Sequence, residues 1–339
     1  MKIAIFDTHK FEKSYFETAN QQPRAHSSTP HRITWLDARL NSQTARLAVG
    51  HDAVGSFVND RVDAETCSQL AALGVRLIAL RCAGTNHVDL QAARLHKLQV
   101  VRVPEYSPHA VAEHAVALLL TLNRKIHRAH NRVREMNFSL DGLVGFDLYK
   151  KTVGVIGVGR IGQVFAQIMS GFGTEVLLFD PQTPTAFAAK VGARVTSLEE
   201  LLQRSDVISL HCPLNEQTRH MLDAQRFYQM KPGAMIVNTG RGALIETRAL
   251  IQALKSGRLG GAALDVYEEE AGVFFEDLSE RGVNDDQLAR LLTFPNVLIT
   301  SHQAFLTHEA LTAIAQTTLQ SLDEFESGRP LSSPAFTSR

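Results

Sequence analysis

Cysteine is scarce in this chain of 339 residues. Cys67, Cys82 and Cys212 are the only three, an odd number spread too widely for a disulfide framework or a zinc-ligand spacing. A reducing compartment, and so the cytoplasm, is the expected setting, and no metal is expected. Net charge is missing as well, because 35 basic side chains balance 35 acidic ones. That argues against a dedicated surface for nucleic acid or for an anionic membrane. Long hydrophobic runs are also lacking. No stretch approaches the ~18 apolar residues of a membrane span, and the opening "MKIAIFD" is too brief for a signal-peptide core. There is no short-period repeat and no low-complexity tract. The remaining expectation is a soluble chain, 44% hydrophobic, long enough for two domains of ordinary size.

What is present is an alternation of strand and helix patterns, the mark of an α/β chain with parallel sheets. "KIAIF", "HRITWLDA", "AVGSFV", "RLIAL" and "VVRVP" read as strands, and "AETCSQLAALG" as a helix closing on Gly74. The segment 106–135, from "YSPHAV" to "NRVRE", then reads as one long helix, with Ser107 as N-cap and Pro108 at its first position. Six further strands follow: "TVGVI", "EVLLF", "DVISL", "AMIVN", "GAALDV" and "NVLIT". A closing helix, "THEALTAIAQTTLQSLDEFESG", carries apolar residues at helical spacing and is expected to return to the first unit. The expected domains are therefore a discontinuous one, 1–105 with 304–339, and a continuous one, 106–303.

"VGVIGVGRIGQVF" holds Gly157, Gly159 and Gly162 as G-x-G-x-x-G. It follows a strand, opens a helix, and is followed by a second strand ending at Asp180. These elements in register are the fingerprint of a dinucleotide site. Gly157 permits the tight turn, Gly159 lets the backbone approach a pyrophosphate, and Gly162 lets helix and strand pack closely. The helix N-terminus presents free N–H groups to the phosphates. Asp180 would accept hydrogen bonds from the adenosine ribose and repel a 2′-phosphate, so NAD is favoured over NADP.

Ligands of doubly wound sheets lie beyond the carboxyl ends of the strands. There the sequence places Thr239, Gly240 and Arg241 after "AMIVN", Asp265 and Glu268 to Glu270 after "GAAL", and His302 after "VLIT". Taken singly these are ordinary residues: an arginine that caps a helix, a solvated acidic run, a structural histidine. Together they suit hydride transfer to a 2-keto acid. A guanidinium holds the carboxylate and polarises the carbonyl. An imidazole delivers the proton. One acid of "DVYEEE" holds the ring and favours its charged form. His308, at the start of the closing helix, falls outside this edge.

The strings "GVGRIG", "NTGRG", "DVYEEE" and "SHQAFLT" resemble the D-isomer-specific 2-hydroxyacid dehydrogenases, and the resemblance covers nearly the whole chain. "VFFEDLS" and "HQAFLTHEAL" resemble the fermentative branch that interconverts pyruvate and D-lactate. The resemblance implies a doubly wound Rossmann NAD-binding domain and a discontinuous flavodoxin-like substrate domain. It implies catalysis by Arg241, Glu270 and His302, with Glu270 as the imidazole's partner. It implies that backbone N–H groups of Ala83 and Gly84, in "RCAGTN", take the substrate carboxylate, and that Tyr106 and Phe305 lie near the substrate. Arg160 and Ile161 would meet the pyrophosphate through their backbone. Cys212, Pro213 and Thr218 would form a cofactor loop, and Thr239, Gly240, Arg241, Asp265 and His302 would line the cofactor's edge. Gly240 stands where serine is common in the family. A homodimer or homotetramer is the implied assembly. Two rival readings are a reductase of phenylpyruvate, hydroxypyruvate or glyoxylate, and a non-catalytic NAD(H) sensor.

Overall fold

Short apolar runs bounded by turns fold here as parallel strands buried on both faces. The structure, a computed structural model, describes residues 1–24 and 29–336. It divides into two units, Met1–Ser107 with Leu306–Arg339, and Pro108–Phe305.

The first unit holds strands β1 (Lys2–Ile5), β2 (Arg32–Trp35), β3 (Ala53–Ser56), β4 (Leu77–Leu80) and β5 (Gln99–Val101). All pair parallel, in the order β2-β1-β3-β4-β5. That is the flavodoxin-like order, in which the chain winds both ways from β1 and β3. Ala4, Phe6, Val54, Ile78, Leu80 and Val100 form the core of one face. The helix His308–Glu326 comes back to this unit, packing on the helix Lys10–Gln21 and on β4. Its apolar stripe, Leu311, Ile314, Ala315, Leu319 and Leu322, is buried. Arg24 Nε donates to Asp323 Oδ2 of the same helix at 2.8 Å. The helix Lys10–Gln21, which buries Phe16 and Ala19, is not among the elements expected from the sequence.

The second unit holds β6 (Thr152–Ile156), β7 (Glu175–Phe179), β8 (Arg194–Val195), β9 (Val207–Leu210), β10 (Ala234–Asn238), β11 (Leu259–Leu264) and β12 (Val297–Ile299). Their order is β12-β11-β10-β9-β6-β7-β8, all parallel, so the winding reverses between β6 and β9. This is the Rossmann arrangement with one added strand. Alternate side chains feed two cores, as a period of two dictates. Ala234 and Ile236 of β10 enter one core, Met235 and Val237 the other. The added strand is β12; β8, the one strand not expected from the sequence, is two exposed residues long, too short to register as a hydrophobic run.

The expected long helix is two helices, Pro108–Asn123 and Ile126–Arg134. Lys125 lies between them with φ +51°, a left-handed conformation that no helix continues through. Asn123 explains the break. Its side chain accepts from Phe146 N at 3.0 Å and donates to Phe146 O at 2.8 Å, so the returning chain docks on the helix end. Pro108 does open the first helix. Among the described residues no helix is long and apolar enough to cross a membrane.

Candidate active site

The register aligns the carboxyl ends of the second sheet: Asn238 pairs with Leu264 and with Leu210, Leu264 with Ile299, and Ile156 with Phe179 and Leu210. Gly157, Asp180, Cys212, Arg241, Asp265 and His302 lie one to three residues past those ends. They leave the sheet on one edge, the edge where such sheets bind ligands.

Gly157 adopts φ +91°, and a Cβ there would come within 2.4 Å of Cys212 N. A Cβ on Gly162 would come within 2.0 Å of Gly157 O, so the following helix is pressed onto the turn. Gly159 faces open space and caps the helix Arg160–Gly171, whose first residues are Arg160 and Ile161. Asp180 Oδ2 accepts from Val158 N at 2.8 Å, and its Oδ1 from Gln182 N at 2.8 Å. The carboxylate thus holds the glycine turn and keeps lone pairs for a ribose. On the next loop Thr218 Oγ1 donates to Pro213 O at 2.7 Å, closing residues 213–218 into a small ring. Cys212 is half-buried, and burial pushes its thiol up to about 11, so it is no thiolate at neutral pH. Thr239 Oγ1 is buried without a hydrogen-bond partner among the described residues. A helix N-terminus capped by an open glycine, a tightly held glycine turn, an acid beside it and an orphaned hydroxyl fit a dinucleotide.

His302 carries the clearest chemistry. Its Nδ1 lies 2.8 Å from Glu270 Oε2, and both side chains are 17% exposed, shielded yet reachable. Glu270 Oε1 accepts from Tyr267 N at 3.0 Å, which fixes the carboxylate. His302 has φ +50°, a strained choice for a residue with a Cβ. Asp265 holds it there. The Asp265 carbonyl accepts from His302 N at 2.7 Å, its Oδ1 from Thr300 Oγ1 at 2.6 Å and Gln303 N at 2.9 Å, and its Oδ2 from Ala304 N at 2.8 Å. His114 Nε2 stands 3.3 Å from Oδ1. Burial would raise the Asp265 carboxyl, but these hydrogen bonds outweigh it and hold it below the usual range. Neither the loop-holding role of Asp265 nor the part of His114 follows from spacing; both depend on which backbone groups the fold brings near.

Arg241 is half-buried in an extended conformation, its carbonyl accepting from Asn238 Nδ2 at 2.9 Å. Gly240 N donates to Asn238 Oδ1 at 3.0 Å, and a Cβ there would make only ordinary contacts, so serine would fit. Phe305 is buried three residues after His302. In the first unit, Ala83 and Gly84 follow β4, and Arg102 Nη1 holds the Ala83 carbonyl at 2.9 Å. Their N–H groups donate to no acceptor among the described residues. Tyr106 is half-buried near the end of that segment. His308 is the first residue of its helix and bonds through Nδ1 with the Tyr15 hydroxyl, within the first unit.

Residues 116–304 match the family model "D-isomer specific 2-hydroxyacid dehydrogenase, NAD binding domain". The chain is 49% identical over 328 residues to the D-lactate dehydrogenase of Escherichia coli, covering 97% of this chain and 98% of that one. The apo structure of an Escherichia coli D-lactate dehydrogenase is similar with a TM-score of 0.88 at 47% identity, over 99% and 100% of the two chains. The pyruvate reductase of Chlamydomonas reinhardtii is similar with a TM-score of 0.90 at 43% identity, over 98% of each.

Proposed function

Since the chain belongs to the D-isomer-specific 2-hydroxyacid dehydrogenases, an NAD-dependent family, we propose that it reduces pyruvate reversibly to D-lactate. The observation that supports this reading most is the His302–Glu270 contact of 2.8 Å on strand ends beside that of Arg241. The names of the similar proteins point to the same substrate pair.

The glycine turn and Asp180 would hold the reduced cofactor, which would supply the hydride for carbon 2 of the keto acid. With Nδ1 tied to Glu270, His302 presents Nε2 to the substrate oxygen and gives it a proton. Arg241 binds the substrate by its guanidinium and polarises the carbonyl. The unengaged N–H groups of Ala83 and Gly84 suit a carboxylate. Phe305, buried just past His302, would limit the size of the side chain accepted. Reduction consumes imidazolium and oxidation consumes neutral imidazole, so the two directions respond to pH in opposite senses.

The working form is a homo-oligomer in the cytoplasm. Three free cysteines fit a reducing compartment. Phe138, Leu140 and Val144 are 69%, 79% and 83% exposed, with Ile126, Val133, Met136 and Tyr149 exposed around them in sequence. So many large apolar groups in one stretch suit cover by a second copy.

The test is NADH oxidation against pyruvate, phenylpyruvate, hydroxypyruvate and glyoxylate, with chiral analysis of the product. The highest kcat/KM should fall on pyruvate and the product should be the D isomer. A higher kcat/KM on another keto acid, or no turnover, overturns the proposal.

A further inference from the structure

The run Asp265–Glu270 contains a second carboxylate–histidine pair, outside the one assigned to catalysis. Glu268 Oε1 lies 2.5 Å from His220 Nε2. Its Oε2 accepts from Thr247 Oγ1 at 2.8 Å and Thr247 N at 3.2 Å. The Arg219 guanidinium stands 3.8 Å away. Glu268 is mostly buried, its side chain 15% exposed. Burial would raise its carboxyl, yet the hydrogen bonds from His220 and Thr247 hold it below the usual range. A carboxylate so engaged is no solvated surface acid. Glu269 beside it is exposed.

The three partners sit on three different loops. His220 belongs to the loop after β9, the proposed cofactor loop. Thr247 opens the helix Thr247–Lys255 that follows the Arg241 turn. Glu268 is two residues before Glu270. The backbone reinforces the same junction. His220 N donates to Ala243 O at 2.8 Å, Leu222 N to Leu244 O at 3.0 Å, and Glu246 N to Leu222 O at 3.0 Å. Gly242 lies directly on the next loop, where a Cβ would come within 1.9 Å of Tyr267 C. His220 adopts φ +50°, a conformation that a side chain resists unless something holds it.

We infer that Glu268 and His220 are a positioning pair, which locks the cofactor loop, the Arg241 turn and the Glu270 loop into one rigid constellation. This inference rests on the proposed roles of Arg241, Glu270 and His302. Neither Glu268 nor His220 touches substrate in it. They act by fixing the backbone that carries two groups of the reaction at once.

The test is a double-mutant cycle with His220→Ala, Glu268→Ala and the pair, read as kcat, KM for NADH and melting temperature, beside Glu268→Gln, Glu269→Ala and His302→Ala. Each alanine variant should lose about tenfold or more in kcat, the scale of one hydrogen bond to a charged group. KM for NADH should rise several-fold. The double variant should lose no more than the worse single one, because the two side chains act as a unit. Glu268→Gln should keep most of kcat, since its amide oxygen can still accept from Thr247 N and Oγ1 while its amide nitrogen donates to Nε2 of a neutral His220. Glu269→Ala should match the parent. Wild-type kcat and KM in His220→Ala and Glu268→Ala, or strictly additive losses that follow melting temperature, overturn the inference. His302→Ala separates the two levels of argument. If it stays active, the underlying catalytic reading has failed; if it is inactive while the His220 and Glu268 variants work normally, only the positioning pair has. If Glu268→Ala does not fold, the partly exposed His220→Ala decides the matter, wild-type kcat and KM in it overturning the inference.

Discussion

At the scale of single residues, two histidines six positions apart make a sharp contrast. His302 pairs with Glu270, while His308 bonds Tyr15. His302→Ala should cost roughly 10²–10⁴-fold in kcat, the usual range for a positioned acid or base, with NADH still bound. His308→Ala should leave kcat near the parent value; steady-state assays of both variants check this. Asp180 carries a second expectation. Asp180→Ala should shift the NADH:NADPH ratio of kcat/KM toward NADPH by roughly ten- to hundredfold, the scale of a charged hydrogen bond. Part of that loss belongs to the Val158 N–H, which the carboxylate also holds. A parent enzyme that already prefers NADPH would contradict the assignment. The acids after Asp265 show what spacing leaves open. Three consecutive glutamates are equivalent in sequence, and the turn of the loop alone sends Glu268 to His220, Glu269 to solvent and Glu270 to His302. The resemblance singled out Glu270; nothing in the composition distinguished Glu268.

At the scale of elements, the strand pattern was legible because buried parallel strands are written as apolar runs between turns. Strand β8 and the break at Lys125 were not, for they depend on tertiary partners: the edge of β7 in one case, the docking of Phe146 on Asn123 in the other. The loop from Thr300 to Ala304 is a third such case. Its shape is set by Asp265, whose carboxylate replaces a missing turn of backbone hydrogen bonds. Asp265→Asn should destabilise the protein by about 1–3 kcal/mol, since a buried donor loses its acceptor, and should lower kcat by misplacing His302. The pH dependence has a definite sign. The folded carboxyl lies below its unfolded value, so its contribution is present at neutral pH and is lost as pH falls through the folded value. Denaturant melts of parent and variant should therefore converge in acid. A gap that stays constant from neutral pH into acid would rule out this account.

At the scale of the whole molecule, the α/β class and the family were readable from motifs that span the chain, because glycine turns and strand-end polar residues keep their spacing. The proposed assembly would be written less plainly, in exposed apolar groups that lack a periodic pattern. If the proposed oligomer forms through this stretch, Phe138→Asp combined with Leu140→Asp should give a smaller species without unfolding it; sedimentation at several concentrations measures this, and an unchanged mass would exclude the stretch as an interface. The path of the chain has its own outcome. The first unit is assembled from two segments with the whole second unit between them in sequence, and one side of its sheet lacks a covering element until the helix His308–Glu326 is made. On the ribosome the second unit, though later in sequence, has all its strands before the first is complete. The nascent chain must therefore carry β4 and the helix Lys10–Gln21 with an unsheltered apolar face through about two hundred residues of synthesis. During that interval the exposed apolar face is the kind of surface that pairs with a neighbouring chain unless it is shielded.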